Sequence, residues 1–444
     1  MNYAIKWLLY GVIIGVVAGL SALLFHFTVS LIADVFASIT GFSPTSPNVH
    51  GVRYWLTPIA VAAGAFASGL LVYTFVGSSE ELGINAMIEA YHKRRGEVGV
   101  KVPILGWLAS ALTIGFGGSV GSEAPMATLS GGLTSLLMSK LGADDADRRT
   151  AFAAALGVGI GAILKAPVGG AILSAEILYR RDVEWAVLYP SLVASSIAYV
   201  IYSSVTGFGP LLGNYNAAVS VYEQPLFIAV GAVDGLMARL YVYSLHKSHE
   251  WFKALRINNY AKPLVGGLVV GSMGLIAPEV LGEGLSWAKV ALSGRLDGFV
   301  VLGLPAAGAV LAVLLVLLPF LKVVATALTV NSGAAGGIFV PGLAVGAFLG
   351  LDMGLLFRLA FPGVVGDVVP FVVASMLAMF GVASRAPLAV TAMVLEMTND
   401  YRAVIGALLA LAVAYVVIGD ETVFPAQPAS KLAETPKALP TELF

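Results

Sequence analysis

Glu123 stands in the run Gly121-Ser122-Glu123-Ala124-Pro125. A second glycine-rich run, Gly333-Ala334-Ala335-Gly336-Gly337-Ile338-Phe339-Val340-Pro341, ends 216 positions later. Each run closes one apolar segment and opens another at what should be bilayer depth. Irregular backbone is tolerated there only where it is buried in protein or lines a polar cavity. Paired interruptions in corresponding halves of a chain point to a transporter's binding site. The chemistry such breaks offer is anion binding. Stripping water from a small ion costs on the order of tens of kcal/mol in the Born limit, and a full lysine counter-charge would hold the ion too tightly for fast release. Backbone N–H groups at a helix start supply unpaired donors plus the positive end of the dipole. At about 1.5–3 kcal/mol per hydrogen bond to a charged group, roughly four to six of them offset much of the dehydration without trapping the ion. Glycines before the helix start let the backbone approach the ion closely. One such break alone reads as a kink in packed helices, which are frequent in membranes; two favour an ion site.

Glu123 adds a second property. A carboxylate at a helix N-terminus is favoured as an anion, yet burial penalises its charge. Protonation should release it from the site, which would link proton and anion. The competing reading is a helix-terminal charge in a wet vestibule.

The composition agrees with a membrane setting. Of 444 residues, 58% are hydrophobic and 11% charged, against roughly 25% charged in an average soluble domain. Apolar runs of about 18 or more residues recur, as in an all-α polytopic membrane protein. A net charge of -1 gives no basic face for nucleic acid. The absence of cysteine excludes disulfides, thiolate nucleophiles and thiolate metal sites. The first apolar run, 7–39, is too long for a signal-peptide core and is expected to be a retained first helix. Only about two dozen residues follow the last apolar run, so no regulatory soluble domain is expected after it.

The pattern predicts membrane helices over 5–38, 55–76, 101–117, 123–139, 150–164, 168–179, 187–206, 222–246, 262–277, 298–322, 339–360, 367–383, 387–398 and 402–419. Several are shorter than the roughly 20 residues of a full crossing, so half-helices meeting inside the bilayer are expected. The halves repeat, with a first repeat expected over 7–210 and a second over 222–431 of one transmembrane domain, 1–444. Gly15-x-x-x-Gly19-Leu20 recurs as Gly231-x-x-x-Gly235-Leu236 at the same offset of 216 as the two breaks. Lys165-Ala166-Pro167, with Glu176 nine residues after the proline, recurs as Arg385-Ala386-Pro387 with Glu396. Landmarks alone leave parallel and inverted repeats open, while a site at the repeat interface suits an inverted pair. His92-Lys93-Arg94-Arg95 and Arg180-Arg181 are expected to face the cytoplasm.

These motifs resemble the CLC family of chloride channels and chloride/proton antiporters, in its prokaryotic form without C-terminal CBS domains. The family's Gly-Lys/Arg-Glu-Gly-Pro appears degenerate as Gly121 to Pro125, and its Gly-x-Phe-x-Pro is intact as Gly337-Ile338-Phe339-Val340-Pro341. Lys165-Ala166-Pro167-x-x-Gly170 matches a third family segment. The resemblance implies two inverted helical repeats with broken helices, and a homodimer with one pore per subunit. It implies half-helix starts around dehydrated anions, with amides of Ser122, Glu123, Ala124, Ile338, Phe339 and Val340 as donors. Glu123 would be the gate, and chloride or another small anion, protons and the lipid bilayer the partners.

Departures from the family pattern bear on mechanism. The segment Glu81-Leu82-Gly83-Ile84-Asn85 aligns with Gly-Ser-Gly-x-Pro, so Leu82 replaces the serine that caps the central anion and Gly83 borders it. The central tyrosine of the last helix aligns with Phe424, which lacks the hydroxyl. The central site should therefore depend more on backbone amides, with chloride selectivity in doubt. The inner proton-transfer glutamate aligns with Ile177. Glu176, about 100° away on a helix, would not substitute for it and is expected to be structural. A proton pathway is thus expected through Glu123, with Glu176 and Ile177 as the candidate inner positions.

Among other intramembrane charges, Lys322 is expected to bond backbone carbonyls or snorkel rather than touch the anion. Glu396, Asp234 and Arg239 are expected to be structural, and His26 a satisfied helix histidine. None of the five histidines has metal-ligand spacing, and no cofactor is expected. An intramembrane enzyme would need a nucleophile, metal or carboxylate-pair motif that is not found. Passive anion conduction gated by Glu123 is the first expectation. Coupled chloride/proton exchange, or transport of another anion, is the alternative. A prokaryotic plasma membrane is the expected location.

Overall fold

A computed structural model describes residues 2–46 and 53–431. Sixteen α-helices lie among the described residues, eight in each half. The first half holds α1 (Tyr3–Thr40), α2 (Thr57–Leu71), α3 (Ile84–Lys93), α4 (Lys101–Gly115), α5 (Glu123–Lys140), α6 (Asp145–Ile163), α7 (Pro167–Glu176) and α8 (Trp185–Thr206). The second holds α9 (Gln224–Ala254), α10 (Ala261–Ile276), α11 (Leu285–Leu292), α12 (Gly308–Asn331), α13 (Phe339–Ala360), α14 (Val369–Ala383), α15 (Pro387–Thr398) and α16 (Val404–Ile418).

Burial separates the helices into two layers. Every residue of α14 is buried, as expected of a helix that is apolar all round. The outer helices carry large exposed apolar side chains instead: Phe27 and Leu31 on α1, Val313, Val316 and Phe320 on α12, Ile405 and Val416 on α16. Water would penalise such a surface, whereas lipid tails do not. Among the described residues six helices are long and apolar enough to cross a bilayer, α1, α8, α9, α12, α13 and the Tyr54–Val76 stretch containing α2.

The repeat is visible as equivalent contacts. Gly15 and Gly19 let α1 lie against Ala194, Ile197 and Ile201 of α8; Gly231 and Gly235 let α9 lie against Ala410, Ala414 and Val417 of α16. Lys165 and Arg385, both with left-handed backbone (φ 54° and 57°), cap the last helix of their own half. Lys165 Nζ donates to the carbonyls of Thr206 and Gly207 at 3.0 and 2.7 Å. Arg385 donates to those of Gly419 and Glu421. Cations are favoured at helix C-termini.

Glu176 and Glu396 tie the halves together. Glu176 accepts from the N–H groups of Leu388 and Ala389 at 3.2 and 2.7 Å, and Glu396 accepts from those of Val168 and Gly169 at 3.0 and 2.8 Å. The C-terminal end of α7 thus caps the start of α15, and the reverse. Equivalent helices running in opposite directions are what inverted repeats require.

Three expectations need correction. Residues 298–322 are not one helix: Val300–Val301 and Leu304–Pro305 form an antiparallel hairpin, and α12 starts at Gly308 and continues to Asn331. Leu302 and Gly303 both take positive φ (51° and 76°), the signature of a two-residue hairpin turn. The apolar run concealed it, since periodicity cannot separate a short, uniformly apolar strand from a helix. The short helices α3 and α11 were not predicted; at ten and eight residues they fall below any spanning window. Phe424 lies beyond α16 in irregular backbone, where its N–H donates to Thr422 Oγ1, and not in a helix.

Candidate anion site

The two glycine-rich breaks meet. Gly121 and Gly337, equivalent residues of the two halves, exchange both backbone hydrogen bonds at 2.9 Å in a single antiparallel bridge. Beyond the bridge, α5 starts at Glu123 and α13 at Phe339. The first-turn N–H groups of both helices have no acceptor within their own helix.

Glu123 is fully buried, and its Oε1 accepts from the Phe339 N–H at 2.5 Å. Its Oε2 is buried without a hydrogen-bond partner among the described residues. A carboxylate of one half therefore occupies the helix start of the other, where a dehydrated anion would sit. The cradle requires glycine: a Cβ at Gly337 would lie 1.8 Å from Glu123 Oε1, and one at Gly121 2.1 Å from Oε2.

The peptide group that holds Glu123 is itself held from behind. The hydroxyl of Tyr241, on α9, donates to the Ile338 carbonyl at 2.6 Å, and that carbonyl and the Phe339 N–H belong to one peptide plane. Phe380 packs on both Phe339 and Tyr241, with ring centroids 4.6 and 6.2 Å away. Tyr241 was not anticipated; no local motif marks it.

At the other helix start the Ser122 N–H is taken by Glu283, whose Oε1 accepts it at 2.7 Å. Glu283 sits between Gly282 and Gly284 in the turn that opens α11. Lys322, wholly buried on α12, donates to the carbonyls of Val280 and Gly282 at 2.9 and 2.8 Å. It bonds backbone carbonyls, one of the two roles expected of it. Glu283 was also missed, although a carboxylate flanked by glycines in an apolar stretch was a usable signal.

The remaining predicted residues fall nearby or elsewhere. Gly83, with φ 97°, precedes α3 and faces Ala124, a Cβ there lying 4.0 Å from the alanine methyl. Ala124 and Val340 follow Glu123 and Phe339 in the first turns of α5 and α13. Leu82 is partly buried against Gly106 of α4. The segment holding Phe424 returns to the start of α3, where Ala426 N–H donates to Asn85 Oδ1 at 2.9 Å. Beside it opens a cavity of 740 Å³ lined by Asn85, Glu89, His92, Arg149, Pro425 and Gln427. His92 contacts the Leu178 carbonyl, so the two basic clusters lie on one face. Ile177 is buried, its carbonyl accepting from Gln427. Glu176 is committed to α15, away from the glycine bridge. Asp234 bonds Ser375, Arg239 pairs with Glu421 at 3.3 Å, and His26 bonds Tyr202.

The family model for voltage gated chloride channels matches residues 59–419, most of the chain. The chain belongs to the CLC family, and its coarse function is anion transport across a membrane by an integral, multi-pass protein. It is 27% identical over 423 residues to the voltage-gated ClC-type chloride channel ClcB of Salmonella typhi, covering 92% of this chain and 95% of that one. Two solved structures share its fold. A slow cyanobacterial Cl⁻/H⁺ antiporter has a TM-score of 0.79 at 20% identity, over 94% of this chain and 95% of the other. A CLC-type fluoride/proton antiporter has a TM-score of 0.76 at 18% identity, over 97% and 100%.

Proposed function

We propose that this protein exchanges a small monovalent anion, chloride first, for protons, and that Glu123 is both its gate and its proton-carrying group. The observation that carries the reading is the Glu123 carboxylate on the Phe339 N–H, inside a cradle only glycines leave open. A fully buried carboxylate with one orphaned oxygen is poised either to accept a proton or to be displaced by an anion. Protonation removes the charge that the helix start favours and frees the amide for the transported ion. Anion entry and proton uptake then alternate at one position. The amides of Glu123, Ala124, Phe339 and Val340 are the proposed donors. Ser122 contributes its N–H only after Glu283 leaves, and Ile338 contributes mainly the carbonyl that Tyr241 holds. Leu82, Gly83 and Phe424 are proposed to border the inner end of the path.

Both structural neighbours are antiporters, which supports exchange over the passive channel expected first. The channel remains the second reading because of one observation. Ile177 offers no ionisable group, and the adjacent Glu176 carboxylate is fully used by α15, so an inner proton relay would have to run through water or through side chains of the 740 Å³ cavity. We further propose repeats over 7–210 and 222–431, a homodimer with a pore in each subunit, and the bacterial or archaeal plasma membrane as the location, which the bacterial relative supports.

Proteoliposomes loaded with chloride test the reading. Efflux of chloride, fluoride, nitrate and bicarbonate is followed while external pH is recorded. Exchange requires that a chloride gradient drive protons uphill, and that Glu123→Gln keep chloride flux at neutral pH while abolishing proton movement. Chloride flux with no proton movement in the wild-type protein would overturn exchange in favour of conduction.

A further inference from the structure

We propose that Glu283 is a second gating carboxylate, standing at the start of α5 as Glu123 stands at the start of α13. The proposal rests on the reading above, in which these helix starts hold the transported anion. The parallel is geometric. Ser122 N–H donates to Glu283 at 2.7 Å and Phe339 N–H donates to Glu123 at 2.5 Å, and the two helix starts are joined by the Gly121–Gly337 bridge. An anion using the Phe339 amide has to displace Glu123. One using the Ser122 amide has to displace Glu283. In this conformation both are filled by the protein's own carboxylates.

Glu283 is held where such a role needs it. The Gly282 N–H bonds the Gly117 carbonyl at 3.1 Å, strapping the turn to the first break, and Lys322 grips the carbonyls of Val280 and Gly282 from the other side. The turn is fixed while the side chain projects from it. Charged and titratable neighbours that face Glu283 are Glu123 on α5, Lys322 on α12 and Tyr202 on α8. Glu283 retains partial exposure whereas Glu123 has none.

The internal repeat adds an independent observation. Gly83 and Gly284 both take positive φ (97° and 90°) and both precede a short helix, α3 and α11. Glu283 is then the second-half counterpart of Leu82. One half places a carboxylate on the amide at the start of α5, and the other has an aliphatic side chain packed against α4. The pathway is chemically asymmetric, with a competing charge at one mouth only.

The test uses the purified full-length protein and measures chloride affinity by titration calorimetry and chloride efflux from proteoliposomes. The variants are Glu283→Gln, Glu123→Gln and the double variant. Glutamine keeps an acceptor for Ser122 and removes the charge, and Glu283→Asp serves as the conservative control. Glu283→Gln is expected to bind chloride roughly tenfold more tightly than wild type, the worth of about one charge-assisted hydrogen bond no longer contested. The double variant should exceed Glu123→Gln by a similar factor, and Glu283→Asp should stay near wild type. If Glu123→Gln alters affinity and flux while Glu283→Gln changes neither, alone or in the double variant, the second gate is refuted and the first stands. If Glu123→Gln also changes neither, the parent reading fails as well.

Discussion

The peptide group between Ile338 and Phe339 holds the Glu123 carboxylate, and Tyr241→Phe perturbs it from the side opposite Glu123. In the structure the Tyr241 hydroxyl donates to the carbonyl of that peptide at 2.6 Å, and its N–H donates to Glu123 at 2.5 Å. Removing the hydroxyl takes away the polarisation of the N–H and one of the restraints on its direction. A hydrogen bond to a charged group contributes about 1.5–3 kcal/mol, and cooperative polarisation strengthens such a bond by about 10–30%, so the loss is about 0.15–0.9 kcal/mol. That corresponds to a weakening of anion binding between about 1.3- and fivefold. The Ile338 carbonyl also accepts from the Gly342 N–H at 3.2 Å, so it is not orphaned. The stability cost should therefore stay near about 1 kcal/mol. The measurement is calorimetric titration of chloride and bromide in a Glu123→Gln background, where no carboxylate competes for the Phe339 amide. Affinity that is unchanged or higher, in a protein that still folds, would remove the Phe339 amide from the list of ion donors.

Two further outcomes follow from the same geometry. Gly337→Ala places a methyl 1.8 Å from Glu123 Oε1, the flexible end of a side chain, so the protein should fold while chloride binding falls by at least roughly tenfold; near-normal chloride efflux in that variant would show that ions pass elsewhere. Leu82→Ser and Phe424→Tyr add hydroxyls where the family supplies them, and each should tighten chloride roughly three- to tenfold with a shift in the chloride-to-fluoride preference; selectivity unchanged in both would place the ion path away from these residues.

Legibility in the sequence followed the range of the interaction. Glycine and proline mark broken backbone wherever they stand, so both helix starts, the cradle and Glu123 were readable from two short runs. The repeat was readable because Lys165, Pro167 and Glu176 recur in order as Arg385, Pro387 and Glu396. Tyr241 and Glu283 act on backbone 97 and 161 positions away; the glycines beside Glu283 mark it as unusual without naming its partner, and nothing around Tyr241 marks it at all. The hairpin at Val300–Val301 and Leu304–Pro305 was hidden for the opposite reason. Its residues are apolar whether buried, as Val300 is, or exposed, as Leu304 is, which erases the apolar/polar alternation that distinguishes a strand. Helices α3 and α11 were lost to length, since at ten and eight residues they fall short of a spanning window and leave no hydropathic trace. Phe424 was placed by alignment with a helical residue, but Pro425 and Pro428 follow it, and proline disfavours helix at the residue before it.

The crossed contacts of Glu176 and Glu396 make the two halves interdependent during biogenesis. Each half completes a helix start that belongs to the other, so neither has a native end state of its own. A half emerging alone into lipid would carry bare amides at the head of α7 or α15, each costing several kcal/mol where no water can reach them. Insertion of the N-terminal half must therefore leave that end open, shielded or wet until the C-terminal half arrives. The proposed ion site also draws on both halves, Gly121 and Glu123 from one and Gly337 and Phe339 from the other, so the N-terminal half alone cannot form it.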